Sequence, residues 1–229
     1  YNLNLPWITA RVSGYYTSVA DQSKVISYYD DTQSSFTNFA MSGIDKVHFG
    51  LEAAVSIPIY HTLALNGAVS WGQYTYDSNP YYLQTQDNSG DIVSDGYVYW
   101  KDFRVESTPQ TAVNGGLSWR SNNNIYLSAD FNYYNNMYLS MSPIYRTDAV
   151  ITGGMAPGDI EHLRRQEKFD SAYTLNASIG KNWYIHRVYM LGFSLEVKNI
   201  LNDQDIRTGG YEQMRMSKVR GEGGDYILS

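Results

Sequence analysis

The chain has 229 residues, no cysteine, 17 basic and 23 acidic residues, and a formal net charge of −6. It can therefore form neither disulfides nor thiolate metal sites, and it lacks the excess of positive charge that nucleic-acid binding requires. No apolar run approaches the roughly 18 residues of a membrane-spanning helix, and the first residues, YNLNLPWITA, lack the features of a signal peptide, which excludes a helical membrane protein.

Apolar and polar residues alternate with a period of two in seven stretches of the chain. This is the period of a β-strand with one apolar face, and no helical stripe is longer than two turns. In chain order the predicted strands cover residues 8–16, 47–57, 63–71, 113–119, 125–133, 173–179 and 191–197. The sequence therefore predicts an all-β chain of about seven antiparallel strands.

The predicted connections alternate between very short and very long. Tight turns are expected at 58–61, 121–124 and 185–187, and long polar loops at 20–41, 77–108, 141–170 and from 202 onward. Outer-membrane β-barrels have short periplasmic turns and long extracellular loops, whereas a soluble sandwich has shorter strands and no reason to sort its loops by length. The pattern favours a segment of an antiparallel transmembrane β-barrel.

Aromatic side chains support this interpretation. The chain has 22 tyrosines and 5 tryptophans, which suit a boundary between water and an apolar phase. Trp7, Trp119 and Trp183 fall at the short-turn ends of predicted strands, and Trp71 falls about nine residues above a turn, roughly 21 Å at the usual strand rise and tilt. We therefore expect these four residues at the two membrane interfaces. The alternative is that they anchor the core of a soluble sandwich.

Five charged residues share the polar phase of their strands: Glu52, Arg120, Asp130, Glu196 and Lys198. A Lys or Arg on the lipid face at the bilayer midplane costs roughly 2–4 kcal/mol, so these side chains are expected to face the lumen. There they would contact a plug or a substrate, or form a ladder of charges between strands. Lys181 is an exception because it shares the phase of Ile179 and Trp183, where it could extend to the lipid headgroups.

Five further segments are informative as a set. They read GIDKVHFGLEAAVSIPI (43–59), STPQTAVNGGLSWR (107–120), YYNNMYLSMSPIYRT (133–147), SLEVKNILND (194–203) and IRTGGYEQMR (206–215). Together they resemble the C-terminal part of the β-barrel of a TonB-dependent outer-membrane receptor, of the kind abundant in Bacteroidetes and related to the SusC-like transporters.

This resemblance implies a 22-stranded barrel around an N-terminal plug. Residues 1–229 would form the C-terminal portion of that barrel domain, without the plug and the final strand, so we expect a fragment of a longer protein. The implied partners are outer-membrane lipid, the remainder of the barrel with its plug, and TonB acting through the plug. The resemblance also allows a SusD-like surface lipoprotein over the barrel mouth.

The candidate substrate-binding residues lie in the predicted loop 77–108. Aromatic rings beside polar donors would suit sugars or peptides, and this loop holds Tyr81, Tyr82, Tyr97, Tyr99 and Trp100. The alternative is that these aromatics pack the loops against one another. The segment 161–170, EHLRRQEKFD, reads as a short helix or as a charge-rich loop.

The sequence offers little for catalysis. His48, His61, His162 and His186 are scattered without metal-ligand spacing, and no serine lies in a nucleophile-elbow pattern. The acidic pairs at 30–31 and 203–205 lack the spacing of a calcium loop. We therefore expect no enzyme, no catalytic residue, no cofactor and no metal.

Three functions are compatible with these patterns. The first is active, TonB-dependent uptake of a nutrient such as a glycan, a peptide or a metal chelate through the outer membrane of a Gram-negative cell. The second is a passive porin or an adhesin-type barrel of the same architecture. The third is a soluble sugar-binding β-sandwich. The resemblance favours the first.

Overall fold

The computed structural model describes residues 1–30, 34–60, 62–87, 89–106, 108–152, 158, 161, 165–186, 188–204, 219–220 and 226–227. In this part the chain is almost entirely antiparallel β-sheet, with one sheet of ten strands. Short helices occur at Ile144–Arg146, which is a 3-10 helix, and at Asp148–Thr152, which we call α1. No helix in these ranges is long and apolar enough to cross a bilayer.

The strands of the large sheet vary widely in length. They are β1 (Asn2–Leu5), β2 (Ile8–Asp30), β3 (Ser35–Tyr60), β4 (Leu63–Tyr76), β5 (Tyr81–Gln86), β6 (Ile92–Tyr97), β7 (Thr111–Arg120), β8 (Ile125–Asn135), β9 (Ala172–Ile185) and β10 (Tyr189–Val197). Their spatial order is β1-β2-β3-β4-β7-β8-β9-β10, while β5 pairs with the Thr37–Ser42 part of β3 and with β6. Two further strands, β11 (Val219–Arg220) and β12 (Tyr226–Ile227), pair with each other.

Tight turns join neighbouring strands at one end of the sheet. Between β7 and β8 the Ser121 N–H donates to the Ile125 carbonyl at 2.7 Å, and Asn124 adopts the left-handed φ of 59° that asparagine tolerates well. The register also brings Tyr60 opposite Leu63. Short turns thus lie where they were predicted, although two residues of the predicted turns, 61 and 187, are outside the described ranges.

The predicted number of strands is wrong. Each of the seven predicted strands lies within an observed strand, but the sheet contains three more. The first is β1, whose Leu5 pairs with Ile8 to form a hairpin at the start of the chain. The other two are β5 and β6, which lie inside the predicted loop 77–108.

The predicted loop 20–41 is also wrong, because β2 and β3 continue through it as a long hairpin. The apolar alternation stops near residue 20 because the hairpin contains bulges between Val19 and Lys24 in β2, where Asp21 has φ 56°, and at Gly43 in β3, where φ is 73°. A bulge inserts an extra residue and so exchanges the two faces of the strand beyond it. Asp45 fixes this geometry, since its carboxylate accepts from the Asp21 N–H at 2.9 Å.

The buried hydrophobic core lies beyond the bulges, among the long connections. It consists of Tyr28, Phe39, Met41, Ile44, Tyr76, Tyr82, Val98, Trp100 and Ile144. Within it the rings of Phe39 and Tyr82 stack at 4.7 Å, and those of Tyr76 and Trp100 lie 4.6 Å apart. Buried aromatic rings contribute most of the apolar area in such a cluster. We call these nine residues the loop core.

The connection between β8 and β9 is joined to the segment after β6 by hydrogen bonds from one side chain to the backbone. The Gln166 side chain accepts from the Arg104 N–H at 2.8 Å and donates to the Arg104 carbonyl at 2.7 Å. The Leu139 N–H donates to the Glu167 carbonyl at 3.0 Å. Of the charged segment 161–170, residues 165–170 form an extended stretch beside 137–139, while 162–164 lie outside the described ranges.

β10 ends in a hydrogen-bonded turn. Asn199 has a φ of 50°, and its side-chain amide donates to the Asp203 carbonyl at 2.9 Å and accepts from the Asp203 N–H at 3.0 Å. The Asp203 carboxylate accepts from the Tyr173 N–H at 2.8 Å. Asp203 therefore ties this turn to β9. Residues 205–218, 221–225 and 228–229, which make up most of the predicted final loop, lie outside the described ranges.

Candidate functional site

The register of the sheet separates two faces. Residues that pair directly across antiparallel strands point to the same side, so the pairing can be followed from strand to strand. One row of paired residues is Leu63, Trp119, Leu127, Ile179 and Leu195, and the next is Leu65, Leu117, Ala129, Ala177 and Val197. We call this side the apolar face. Each predicted apolar set of strand residues lies on it.

The apolar face is open, and no described residue of the chain packs over its centre as a second sheet. Along β7 and β8 its residues Val113, Leu117, Leu127 and Phe131 are exposed by 39–47%. The polar residues between them, such as Asn114 and Ser128, are half-buried and so less exposed than their apolar neighbours. This is the reverse of a soluble sheet, which buries its apolar side and wets its polar side.

The opposite side, the polar face, carries the charged residues predicted to share one phase. Glu52 lies opposite Ser13 and Ser70, and Arg120 lies opposite Tyr126. Asp130 lies opposite Gly116 and Asn176, and Glu196 lies opposite Ser178. Along each strand, the positions that take part in these pairs are an even number of residues apart. Side chains an even number of residues apart in a strand point to the same side, so all four charged residues share one face. The structure thus places them together on one face.

Lys198 lies just past the end of β10. Its ammonium is 3.6 Å from the Glu196 carboxylate, and both side chains are largely exposed. An exposed ion pair of this kind contributes little to stability. The two residues therefore mark the rim of the polar face rather than a buried charge site.

A network of amide and hydroxyl side chains runs across the polar face. The Asp130 carboxylate accepts from the amides of Asn132 at 3.0 Å and Asn176 at 2.8 Å, and the Asn114 amide donates to Asn132 at 2.8 Å. Ser128 and Ser178 share a hydrogen bond of 2.7 Å. Among the described residues Asp130 has no cationic partner, so its charge is stabilised by neutral donors.

Sequence reasoning singled out Asp130 but missed the asparagines and serines around it. No single strand shows the network, because its members are brought together only by the pairing of β7, β8 and β9. A signal was present in the recurrence of Asn and Ser at alternate positions of these strands. Such side chains suit a face that is in contact with water or a polar ligand.

Close aromatic packing occurs on the polar face at β2, β3 and β4. The Tyr15 hydroxyl forms a hydrogen bond with the Tyr74 hydroxyl at 2.6 Å. The Tyr15 side chain lies over Gly50 and Gly72, since a Cβ added to either glycine would come within 2.6 Å of the Tyr15 hydroxyl. Gly50 and Gly72 are also directly paired. The two glycines thus form a seat for the tyrosine ring.

A cleft of about 420 Å³ lies on this face at the short-turn end. It is lined by residues that include Tyr60, Thr62, Ser118, Arg120 and Tyr126. Arg120 forms no ion pair with a described residue, and its guanidinium is suited to an anionic group. The cleft therefore brings Arg120 together with the hydroxyl groups of Tyr60, Thr62, Ser118 and Tyr126.

The loop core covers the other end of the polar face. Tyr76 belongs to this face of β4, since it lies opposite Lys46 two residues from Tyr74, and its ring packs on Trp100. The Lys46 ammonium lies 5.3 Å from the Tyr76 ring centroid. The segments after β4 and β8 therefore fold toward the polar side of the sheet and cover it near the long connections.

Burial changes the acid–base properties of the loop core. Desolvation by burial, followed by the charge and hydrogen bond of Glu106, raises the pKa of the Tyr76 phenol. Burial also raises the pKa of Tyr28 and lowers the pKa of Arg146 to about 10. Arg146 donates to the Ser142 carbonyl at 2.7 Å and lies 6.0 Å from the Phe103 ring.

The five aromatic residues predicted to bind substrate occupy different environments. Tyr82 and Trp100 are 1% and 3% exposed and belong to the loop core, so their rings are used in packing. Tyr81 and Tyr97 form an edge-to-face pair at 5.6 Å on the other side of the β5–β6 hairpin, away from that core. Tyr99 is half-buried, and its N–H donates to the Arg146 carbonyl at 2.8 Å.

The four tryptophans predicted at interfaces lie at two ends of the apolar face. Trp7 is in the turn between β1 and β2, and Trp119 and Trp183 lie near the short turns, opposite Leu63 and Leu191. Trp71 lies eight residues beyond Leu63 on β4, about 26 Å along a strand at roughly 3.3 Å per residue. The apolar face is thus bounded by tryptophan at both ends.

Only some of the histidines and acids considered for metal binding lie in the described ranges. Among the described residues no group of three or more His, Asp or Glu side chains could hold a metal ion. His48 packs against the Tyr74 ring at 4.9 Å, and His186 lies in the turn after β9. Residues 31, 61, 162 and 205 are outside the described ranges.

Comparison with known proteins gives no further assignment. No family model, no curated protein and no solved structure matches the chain.

Proposed function

We propose that this chain forms part of the wall of an outer-membrane β-barrel that imports a nutrient in a TonB-dependent manner. The observation that carries the proposal is the open apolar face, bounded by tryptophan, behind a polar face of Asn, Ser and acidic residues. Soluble monomers rarely expose contiguous apolar patches larger than a few hundred Å², whereas this face continues across several strands with its large side chains exposed. Hydrocarbon would cover it without a free-energy penalty.

The edges of the sheet support the barrel interpretation. Among the described residues, the outer edges of β1 and β10 have no strand partner. Unpaired backbone groups in a bilayer cost several kcal/mol each, so membrane-spanning sheets close on themselves. In the proposed barrel these edges pair with the remaining strands, and Glu52, Arg120, Asp130, Glu196 and Lys198 face the lumen.

In this proposal the polar face adjoins the plug and the substrate path. The cleft at Arg120 and the amide network around Asp130 are the groups on that face best suited to contact them. Tyr99 is half-buried beside Arg146, while Tyr81 and Tyr97 lie on the side of the β5–β6 hairpin away from the loop core. TonB dependence itself rests on the resemblance of the five segments described above.

A passive porin is the second candidate. The observation that favours it is the loop core, because connections that fold over the polar side would narrow an open channel in the manner of a constriction. The two candidates differ in their energy requirement. TonB-dependent uptake needs the proton gradient of the inner membrane, whereas diffusion through a porin does not.

The experiment has two stages. Membranes from cells that produce the full-length protein are first separated by density and by detergent extraction, and the protein is expected in the outer-membrane fraction. Accumulation of labelled glycans, peptides and metal chelates is then compared in cells with and without the receptor, with and without TonB. Loss of uptake in both deletions is expected. Uptake that survives loss of TonB would favour the porin, and recovery of the protein from buffer without detergent would exclude both.

A further inference from the structure

We propose that a groove across the apolar face binds one acyl chain of an anionic phospholipid, with Lys181 at its headgroup. The groove has a volume of about 450 Å³. Its side toward the short turns is formed by Leu63, Trp119, Leu127, Ile179 and Leu195, and its two ends by Leu117 and Val197. This inference rests on the proposed location of the apolar face in a membrane.

Two small residues form the floor of the groove. Ala129 of β8 and Ala177 of β9 are directly paired, and they lie between larger side chains in the same row, Leu117 and Val197. The row toward the short turns is made only of large residues. The groove therefore exists because two alanines meet in one row, and filling either position would close it.

The dimensions of the groove suit an acyl chain. Between Leu117 of β7 and Val197 of β10 it extends over about 14 Å, three spacings of roughly 4.8 Å between strands. This length accommodates a large part of an extended acyl chain. Strands in such barrels tilt by about 35–45°, so a groove across them would also be oblique to the bilayer normal and open to a chain that enters from the leaflet.

The charge on this face specifies the headgroup. Among the apolar-face positions of β7, β8, β9 and β10, Lys181 is the one charged residue, and it lies in the next row toward the short turns, between Ile125 and Phe193. Its ammonium lies 5.4 Å from the ring centroid of Trp183, on the side of the short turns. A cation at this depth attracts an anionic headgroup and holds it at the membrane boundary.

A second copy of the chain is a poorer occupant. The apolar face of β7, β8, β9 and β10 presents no carboxylate, so two copies in contact through these strands would offer Lys181 no opposite charge and would bury it against apolar side chains. Burial of an unpaired charge is unfavourable. A phospholipid supplies both the hydrocarbon for the groove and the negative charge for the lysine.

The test measures lipid binding to the full-length protein by native mass spectrometry in a mild detergent. Phosphatidylglycerol and phosphatidylcholine with identical acyl chains are the probes. For the unaltered protein we expect one tight adduct, with phosphatidylglycerol bound about fivefold more tightly, the ratio expected from one basic side chain near an anionic headgroup. Lys181→Gln should remove this preference, whereas Lys101→Gln, at an exposed loop lysine, should keep it.

The groove is tested separately from the charge. Ala177→Leu should weaken the binding of both lipids at least tenfold, because its side chain occupies the floor. Ala53→Leu is the matched control, since Ala53 lies on the same face between Val12 and Val69, away from the groove. Unchanged binding in Ala177→Leu, or an unchanged preference in Lys181→Gln, would overturn the proposal.

The remaining outcomes separate this site from the proposed function. A detergent-extracted outer-membrane protein with no bound lipid overturns the groove alone. A lipid-free dimer that dissociates in Ala177→Leu assigns the groove to a second copy instead. A protein that is recovered without detergent contradicts the membrane location and therefore both proposals.

Discussion

At the scale of single residues, the polar face depends on a contact that only glycine permits. A Cβ on Gly50 would lie 2.5 Å from the Trp71 carbonyl oxygen and 2.8 Å from the Gly72 Cα, both of which belong to the backbone of the neighbouring strand. Because backbone atoms of a central strand move little, Gly50→Ala should lower the free energy of unfolding by about 2–3 kcal/mol, the upper range for overpacking. Denaturant unfolding of the refolded full-length protein measures this loss.

A matched control is available within the same sheet. Gly115 is also a strand glycine, but a Cβ there would meet nothing within 4 Å. Gly115→Ala should therefore leave stability within about 0.5 kcal/mol of the starting protein, as surface substitutions usually do. Equal effects of the two substitutions would show that the close approach of the β4 backbone is not what restricts position 50.

At the scale of elements, the loop core should weaken in alkaline solution. The phenols of Tyr28 and Tyr76 have raised pKa values, so above about pH 10, the ordinary value, the unfolded chain loses these protons first and the stability of the layer falls. Arg146 acts in the opposite sense, since its pKa is lowered to about 10 and its neutral form favours the folded state above that pH. Because two phenols lower the stability and one guanidinium raises it, the net effect of raising the pH above 10 is a loss of stability.

Limited proteolysis by subtilisin at pH 8 and pH 11 follows this change in the connection after β6. We expect faster cleavage at pH 11, and a smaller acceleration in Tyr76→Phe, which keeps the ring against Trp100 but removes one of the two ionisable groups. An acceleration of the same size in Tyr76→Phe would assign the alkaline loosening to another group.

The same elements show how far the sequence determines the fold. The seven strands and their apolar sides were predictable because period-2 alternation is written directly into each strand. The long β2–β3 hairpin was missed because bulges at Asp21 and Gly43 exchange its faces, so the pattern resembles the end of a strand. The loop core and the network around Asp130 join residues that are distant in sequence, and only the register reveals them.

At the scale of the whole molecule, the proposed function requires that the apolar face meets hydrocarbon. Val69 and Ser70 are adjacent in β4 and test this on opposite sides: Val69 is 42% exposed on the apolar face, and Ser70 lies opposite Glu52 on the polar face. Val69→Arg should cost about 2 kcal/mol, because arginine must be taken into lipid. Ser70→Arg should cost less than about 1 kcal/mol, since the new charge can pair with Glu52 in an aqueous lumen.

The measurement is the free energy of folding of the full-length protein into lipid bilayers, with the amount in outer membranes of producing cells as a second readout. The dependence of the cost of Val69→Arg on bilayer thickness, with Ser70→Arg as the reference, decides whether the apolar face meets lipid. If the apolar face packed on protein, Val69→Arg would still be costly, but its cost would not depend on bilayer thickness. In a membrane the penalty should fall in thinner bilayers, because water and headgroups then come closer to residue 69.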